Sequence, residues 1–142
     1  MTDRPTAATP VTLHLFLGIG LVGVTLAFVV LRYLGIPEMP RSGGMTPIVA
    51  YGLSALGLVL AAVALVVLTP RVPGRPPEQP VGEYWATPEV AGKVMPVWFL
   101  LEGAATIAAA GYFFTGAPVC AIVAGALIAA YWLCGPHAFA KA

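Results

Sequence analysis

Residues 11–34 read VTLHLFLGIGLVGVTLAFVVLRYL, with no acid and no proline among them. At about 1.5 Å rise per residue such a run crosses the roughly 30 Å hydrocarbon core of a bilayer. It predicts a transmembrane helix, span 1, that stops at Gly35, Pro37 and Pro40, because proline lacks an amide donor and its ring collides with the preceding turn. The apolar part, Val11 to Leu31, exceeds the about 7 to 15 residue core of a cleaved signal peptide and is read as an uncleaved first span. Ahead of it, residues 1–10 carry Pro5 and Pro10 among Thr and Ala and are expected to form a short disordered tail.

Three more apolar stretches follow, at about 46–69, 96–115 and 118–134. Pro47 suits a first helical turn and Thr69-Pro70 closes span 2. Between spans 2 and 3, residues 70–87 hold Pro70, Pro73, Pro76, Pro77 and Pro80 with Arg71, Arg75, Glu78 and Glu83, which predicts an extended aqueous linker. Thr87-Pro88-Glu89 is a helix start with a hydroxyl cap, and the helix is expected to run along the interface past Lys93 before entering the membrane near Pro96. Gly116-Ala117-Pro118 is too short to be anything but the turn of an antiparallel hairpin.

Composition agrees. Of the 142 residues, 59% are apolar and 9% charged, against roughly 25% charged in a soluble domain. The mean hydropathy is +0.90. So few charges cannot coat a water-exposed surface, which excludes a soluble enzyme, a secreted disulfide scaffold and a disordered tail. A net charge of +1 offers no field for nucleic acid. Cys120 and Cys134, on one predicted helix, stand about 21 Å apart, too far to bridge. The expected fold is an all-α integral membrane four-helix bundle of two antiparallel hairpins, a single domain over residues 11–142.

Basic residues orient it. With the N-terminus on one side, Arg4, Arg71, Arg75, Lys93 and Lys141 share that side and only Arg32 and Arg41 lie opposite, five against two. The richer side is cytoplasmic. Both termini are therefore expected in the cytoplasm of a bacterium, the spans in its inner membrane. Trp85, Trp98 and Trp132 fall near that boundary as interfacial anchors, and Arg32 snorkels at the other.

Between helices in lipid, small residues four apart allow close approach. Gly57 and Ala61 on span 2, Ala104 and Ala108 on span 3, and Ala121, Gly125 and Ala129 on span 4 are the predicted packing positions. Glu102 is the one acid well inside a span, where a charge costs about 2.5–3.5 kcal/mol or more. It must be neutral, paired or hydrated. His14 lies at similar depth on span 1, which predicts a Glu102–His14 hydrogen bond or ion pair fixing helix register, or else a carboxyl that binds and releases a proton. His14 and His137 as haem ligands is a weaker thought, since His137 follows Gly135-Pro136 at the interface. No Ser/His/Asp, Cys/His or paired-carboxylate arrangement appears, so neither catalysis, a cofactor nor a metal is expected.

Leu100-Leu101-Glu102-Gly103-Ala104-Ala105, followed by Gly111-Tyr112-Phe113-Phe114-Thr115-Gly116, resembles the second half of a group of small four-span bacterial membrane proteins without assigned activity. The resemblance covers about residues 96–134 and implies architecture without a reaction. Spans 2 and 3, with their polar linker and Glu102, are more faintly similar to the proteolipid c subunit of rotary ATPases. The resulting expectation is a non-catalytic accessory or assembly subunit that packs against lipid and against other membrane subunits or itself, with proton or ion handling at Glu102 as the alternative.

Overall fold

The computed structural model describes residues 8–36 and 46–141. In chain order the helices are α1 (Ala8–Tyr33), α2 (Thr46–Ala62), α3 (Val81–Ala86), α4 (Pro88–Thr115), α5 (Pro118–Leu133) and α6 (Pro136–Phe139), with no strand among the described residues. Pro10–Tyr33, Thr46–Arg71 and Pro88–Thr115 are long and apolar enough to cross a membrane, and Pro118–Leu133 is a shorter apolar helix. The architecture is all-helical and compatible with a membrane bundle. Residues 8–10, assigned to the tail by sequence, already belong to α1. The remainder of the tail with Arg4, and Pro37, Pro40 and Arg41, lie outside the described residues.

Each long helix buries a stripe whose spacing alternates between three and four residues. On α2 it is Ala50, Ser54, Gly57 and Ala61, and on α5 it is Cys120, Ala124, Leu127 and Tyr131. That spacing is the seam of helices crossing at about +20°. α4 differs in having two seams side by side, one through Val94, Val97, Leu101, Ala104 and Ala108 and one through Trp98, Ala105 and Ala109. Half of its apolar window is buried, against 17% for α1 and 22% for α2. α4 is consequently the hub, packed against α1, α2 and α5.

Directions follow from the pairs that touch. His14 meets Trp98 and Phe28 meets Phe113, so α1 runs parallel to α4. A Cβ on Gly57 would lie 3.0 Å from the Ala104 carbonyl oxygen and one on Gly111 3.3 Å from Leu53, so α2 runs antiparallel to α4. α4 and α5 form the expected hairpin, closed by Gly116 at φ 66°. α1 and α2 form no packed seam with each other. The first of the two expected hairpins thus joins helices seated on different flanks of α4, because only α4 is slim on two faces.

Small residues sort less simply than the sequence implied. Gly57, Ala61, Ala104 and Ala108 are buried at the α2–α4 contact as expected. Ala121, Gly125 and Ala129 are exposed on the outer face of α5, and nothing lies within 4 Å of a Cβ built on Gly125. The stripe offset by a few residues, with the larger Leu127 and Tyr131, faces the core because those side chains fill the space beside the alanines of α4.

α2 loosens before it ends. Val63–Leu68 is a π-helix and Thr69–Arg71 a 3₁₀ turn. Pro70 cannot continue the ladder, and its ring forces the preceding turn open. Both the amide and the hydroxyl of Thr69 turn back to the Ala64 carbonyl, the latter at 3.0 Å.

The linker departs from the extended form expected of it. Tyr84 and Trp85 on α3 are buried, and α3 packs on α1 and α4. Arg75 Nε donates to the Ala140 carbonyl at 2.7 Å and its Nη1 to Gln79 at 2.6 Å, tying the linker to the C-terminal segment. The Tyr84 hydroxyl donates to Pro73 at 2.9 Å, and burial pushes its pKa up. Two aromatic rings outweigh the prolines here, since each buries a large apolar area. The Thr87 hydroxyl, expected to cap α4, instead donates to the Glu83 carbonyl at 3.1 Å.

Glycine size at the α2–α4 contact is testable. Gly57→Leu is expected to lower stability in detergent by about 1–3 kcal/mol through overpacking, while Gly125→Leu on the open face stays within about 0.5 kcal/mol of the parent. Thermal or SDS titrations followed by circular dichroism distinguish them.

Candidate functional site at the histidine end of the bundle

The end of the bundle where α1 begins and α5 finishes concentrates its polar and aromatic side chains. His14 is 4% exposed. Its ring stacks on Tyr131 at 4.5 Å and 11°, leans on Trp98 at 4.7 Å and meets the edge of Trp132 at 5.7 Å. The Tyr131 hydroxyl donates to the His14 carbonyl at 2.6 Å, and Trp98 Nε1 donates to the Cys134 carbonyl at 2.8 Å. The first bond holds α1 to α5, and the second holds α4 to the residue that caps α5. Gly18 is required beneath them, since a Cβ there would lie 2.8 Å from the Trp132 ring.

Neither nitrogen of the His14 ring is hydrogen-bonded among the described residues, and Nδ1 is fully buried. The expected Glu102–His14 pair is not formed. Glu102 is half-buried on α4, and it makes no hydrogen bond or ion pair among the described residues. The rings of Trp98, Tyr131 and Trp132 pack around the imidazole in place of a carboxylate.

The proposed anchors are corrected likewise. Trp98 and Trp85 are core residues, 0% and 3% exposed, and their rings lie 6.0 Å apart. Trp132, 39% exposed, keeps an outward face. Arg32 does not reach away from the bundle but lies across the end of α4, with Nη1 3.5 Å from the Phe113 carbonyl. A helix C-terminus attracts a cation, and a Cβ on Gly116 would collide with this guanidinium.

His137, on α6, was set apart from the spans by sequence, but the structure brings it to His14. His137 Cε1 lies 3.1 Å and His14 Nε2 3.4 Å from the place a Cβ on Gly135 would take. The two imidazoles are thus neighbours at Gly135. Among the described residues no three His, Cys, Asp or Glu side chains converge as a metal site. Beside His137, Val11, Val81, Trp85, Pro136 and Ala140 line an open groove of about 450 Å³. The clue to this cluster was the residue pattern Trp98, Tyr131, Trp132, His137 at matching ends of adjacent helices, which spacing alone could not pair.

At the opposite end, Cys120 is a buried seam residue. Its thiol donates to the Ala50 carbonyl at 3.4 Å, and it accepts from Ser54 at 3.4 Å. Comparison with protein-family models, characterised proteins and solved structures finds no match.

A phenylalanine fits the His14 cage and removes its unpartnered nitrogens. His14→Phe is therefore expected to leave stability unchanged or raise it by about 1 kcal/mol. A loss of about 3–5 kcal/mol, the cost of breaking a buried charge pair, would restore the Glu102 contact. Reversible unfolding in detergent measures the difference.

Proposed function

We propose that this chain is a non-catalytic, multi-pass protein of a bacterial inner membrane, with both termini in the cytoplasm, acting as an accessory or assembly subunit of a larger complex. The observation that supports this most is the outward-facing stripe Ala121, Gly125, Ala129 on α5. It is smooth, it is unused within the chain, and it is of the type that lets another membrane helix approach closely. The described residues at each end of the chain, α1's start and α6, also lie together, in keeping with termini on one side. A large complement of exposed apolar residues, including Phe16, Val66 and Ile122 at over 70%, has no use in water and suits lipid and partner helices.

Native electrophoresis and co-purification in mild detergent test the reading. The parent chain is expected in a species larger than its monomer, and Gly125→Leu to dissociate it while leaving the fold intact. A strictly monomeric parent, or a complex indifferent to that substitution, would speak against it.

A second reading rests on Glu102. Glu102 is a half-buried carboxyl inside an apolar helix with neither ion pair nor hydrogen bond among the described residues, and acids so placed in spans are the usual sites of ion and proton handling. On that reading a hydrophobic carbodiimide labels the parent near neutral pH and Glu102→Gln is not labelled. An inert carboxyl leaves the structural role alone.

A further inference from the structure

The groove beside α6 joins an apolar surface to an imidazole that makes no hydrogen bond among the described residues. Its volume, about 450 Å³, falls in the range of small-molecule sites, about 300–1,000 Å³. Of its six lining residues, Val11, Val81, Trp85, Pro136, His137 and Ala140, only His137 and, through its indole N–H, Trp85 carry a polar side-chain group. The His137 ring is exposed and makes no hydrogen bond among the described residues, while the buried His14 behind it is not part of the lining. The nearest guanidinium, Arg75, is committed to the carbonyls of Ala140 and Gln79. No fixed charge lines the groove, so an ionic headgroup would lose its hydration there without a counter-charge.

What fits is a neutral, flat molecule with an apolar body and a hydrogen-bonding oxygen. Trp85 supplies a ring wall, His137 a nitrogen for one carbonyl or hydroxyl, and the groove adjoins the start of α1, whose outer face is apolar and exposed at Val11 and Leu15. A tail on the ligand can therefore lie along α1. We propose that this groove binds the ring of a neutral membrane amphiphile bearing a carbonyl or hydroxyl, the chemistry of a lipid quinone or quinol. The proposal concerns binding alone, and it rests on the membrane placement of α1 but not on the association face of α5.

Decylubiquinone is the probe, titrated against the full-length protein in neutral detergent and read by tryptophan fluorescence, with Trp85 and Trp98 as reporters. The parent is expected to show a saturable quench. His137→Ala is expected to raise its midpoint about tenfold, as loss of one hydrogen bond allows, with His137→Gln recovering part of the affinity. Val81→Phe, which fills the groove, removes the saturable component. Circular dichroism melts confirm that the variants fold. A quench linear in quinone and equal in all variants would mean partition into the micelle and overturn the proposal. So would a saturable quench on adding phosphatidylglycerol or inorganic phosphate with none on adding decylubiquinone, which would assign the groove to an anionic headgroup. Recovery of the protein in the aqueous fraction after carbonate washing would defeat the membrane reading separately, without reference to quinone.

Discussion

Two adjacent faces of one helix must both be narrow for this bundle to exist. Ala104 and Ala108 form one slim face of α4, and Ala105 and Ala109 form the other. Alanine on each lets a neighbouring backbone come close, and close approach is what holds helices together where solvent gives little help. Gly57 answers from α2 by meeting the Ala104 carbonyl, and Leu127 and Tyr131 of α5 fill the space between. The placement of α1 and α2 on separate flanks is the geometric result. Enlarging any of the four alanines would push a neighbour outward along its whole length, since packed helices are stiff.

The two ends of the bundle are stabilised by different means. One end is closed by the Ser54–Cys120–Ala50 chain of weak hydrogen bonds and by Arg32 lying over the end of α4. The other is closed by rings, with Trp98, Tyr131 and Trp132 around His14, and Trp85 and Phe139 against Trp98. An imidazole without partners is a costly occupant of such a place. The cost is offset by stacking on Tyr131 and by the strong bond from its hydroxyl to the His14 carbonyl, which a smaller ring would not position.

The helices were legible because length and proline encode them. Pro47, Pro88 and Pro118 each begin a helix, and Gly116 ends one. The inward face was not legible for α5, because Ala121, Gly125 and Ala129 are as apolar as Ala124 and Leu127. When every face is apolar, polarity no longer marks the core, and only size complementarity with a neighbour does. That also explains why the tryptophans misled: Trp98 and Trp85 sit at the right height for a boundary, yet their orientation depends on α3 folding over the end. The Glu102–His14 pair followed from matching depth alone, and depth says nothing about the three rings that pack around His14.

The seating of α1 has a consequence for how the chain is made. Its partners, Trp98, Phe113, Tyr131 and Trp132, are all encoded in the second half of the sequence. α1, which precedes all of these residues in the chain, can thus find its seat only after Trp132 has been made, and until then it has no packed seam with α2 to hold it. The exposed apolar side chains of α1 need cover in that interval, and a break in the chain after α1 would leave two pieces still shaped to recombine.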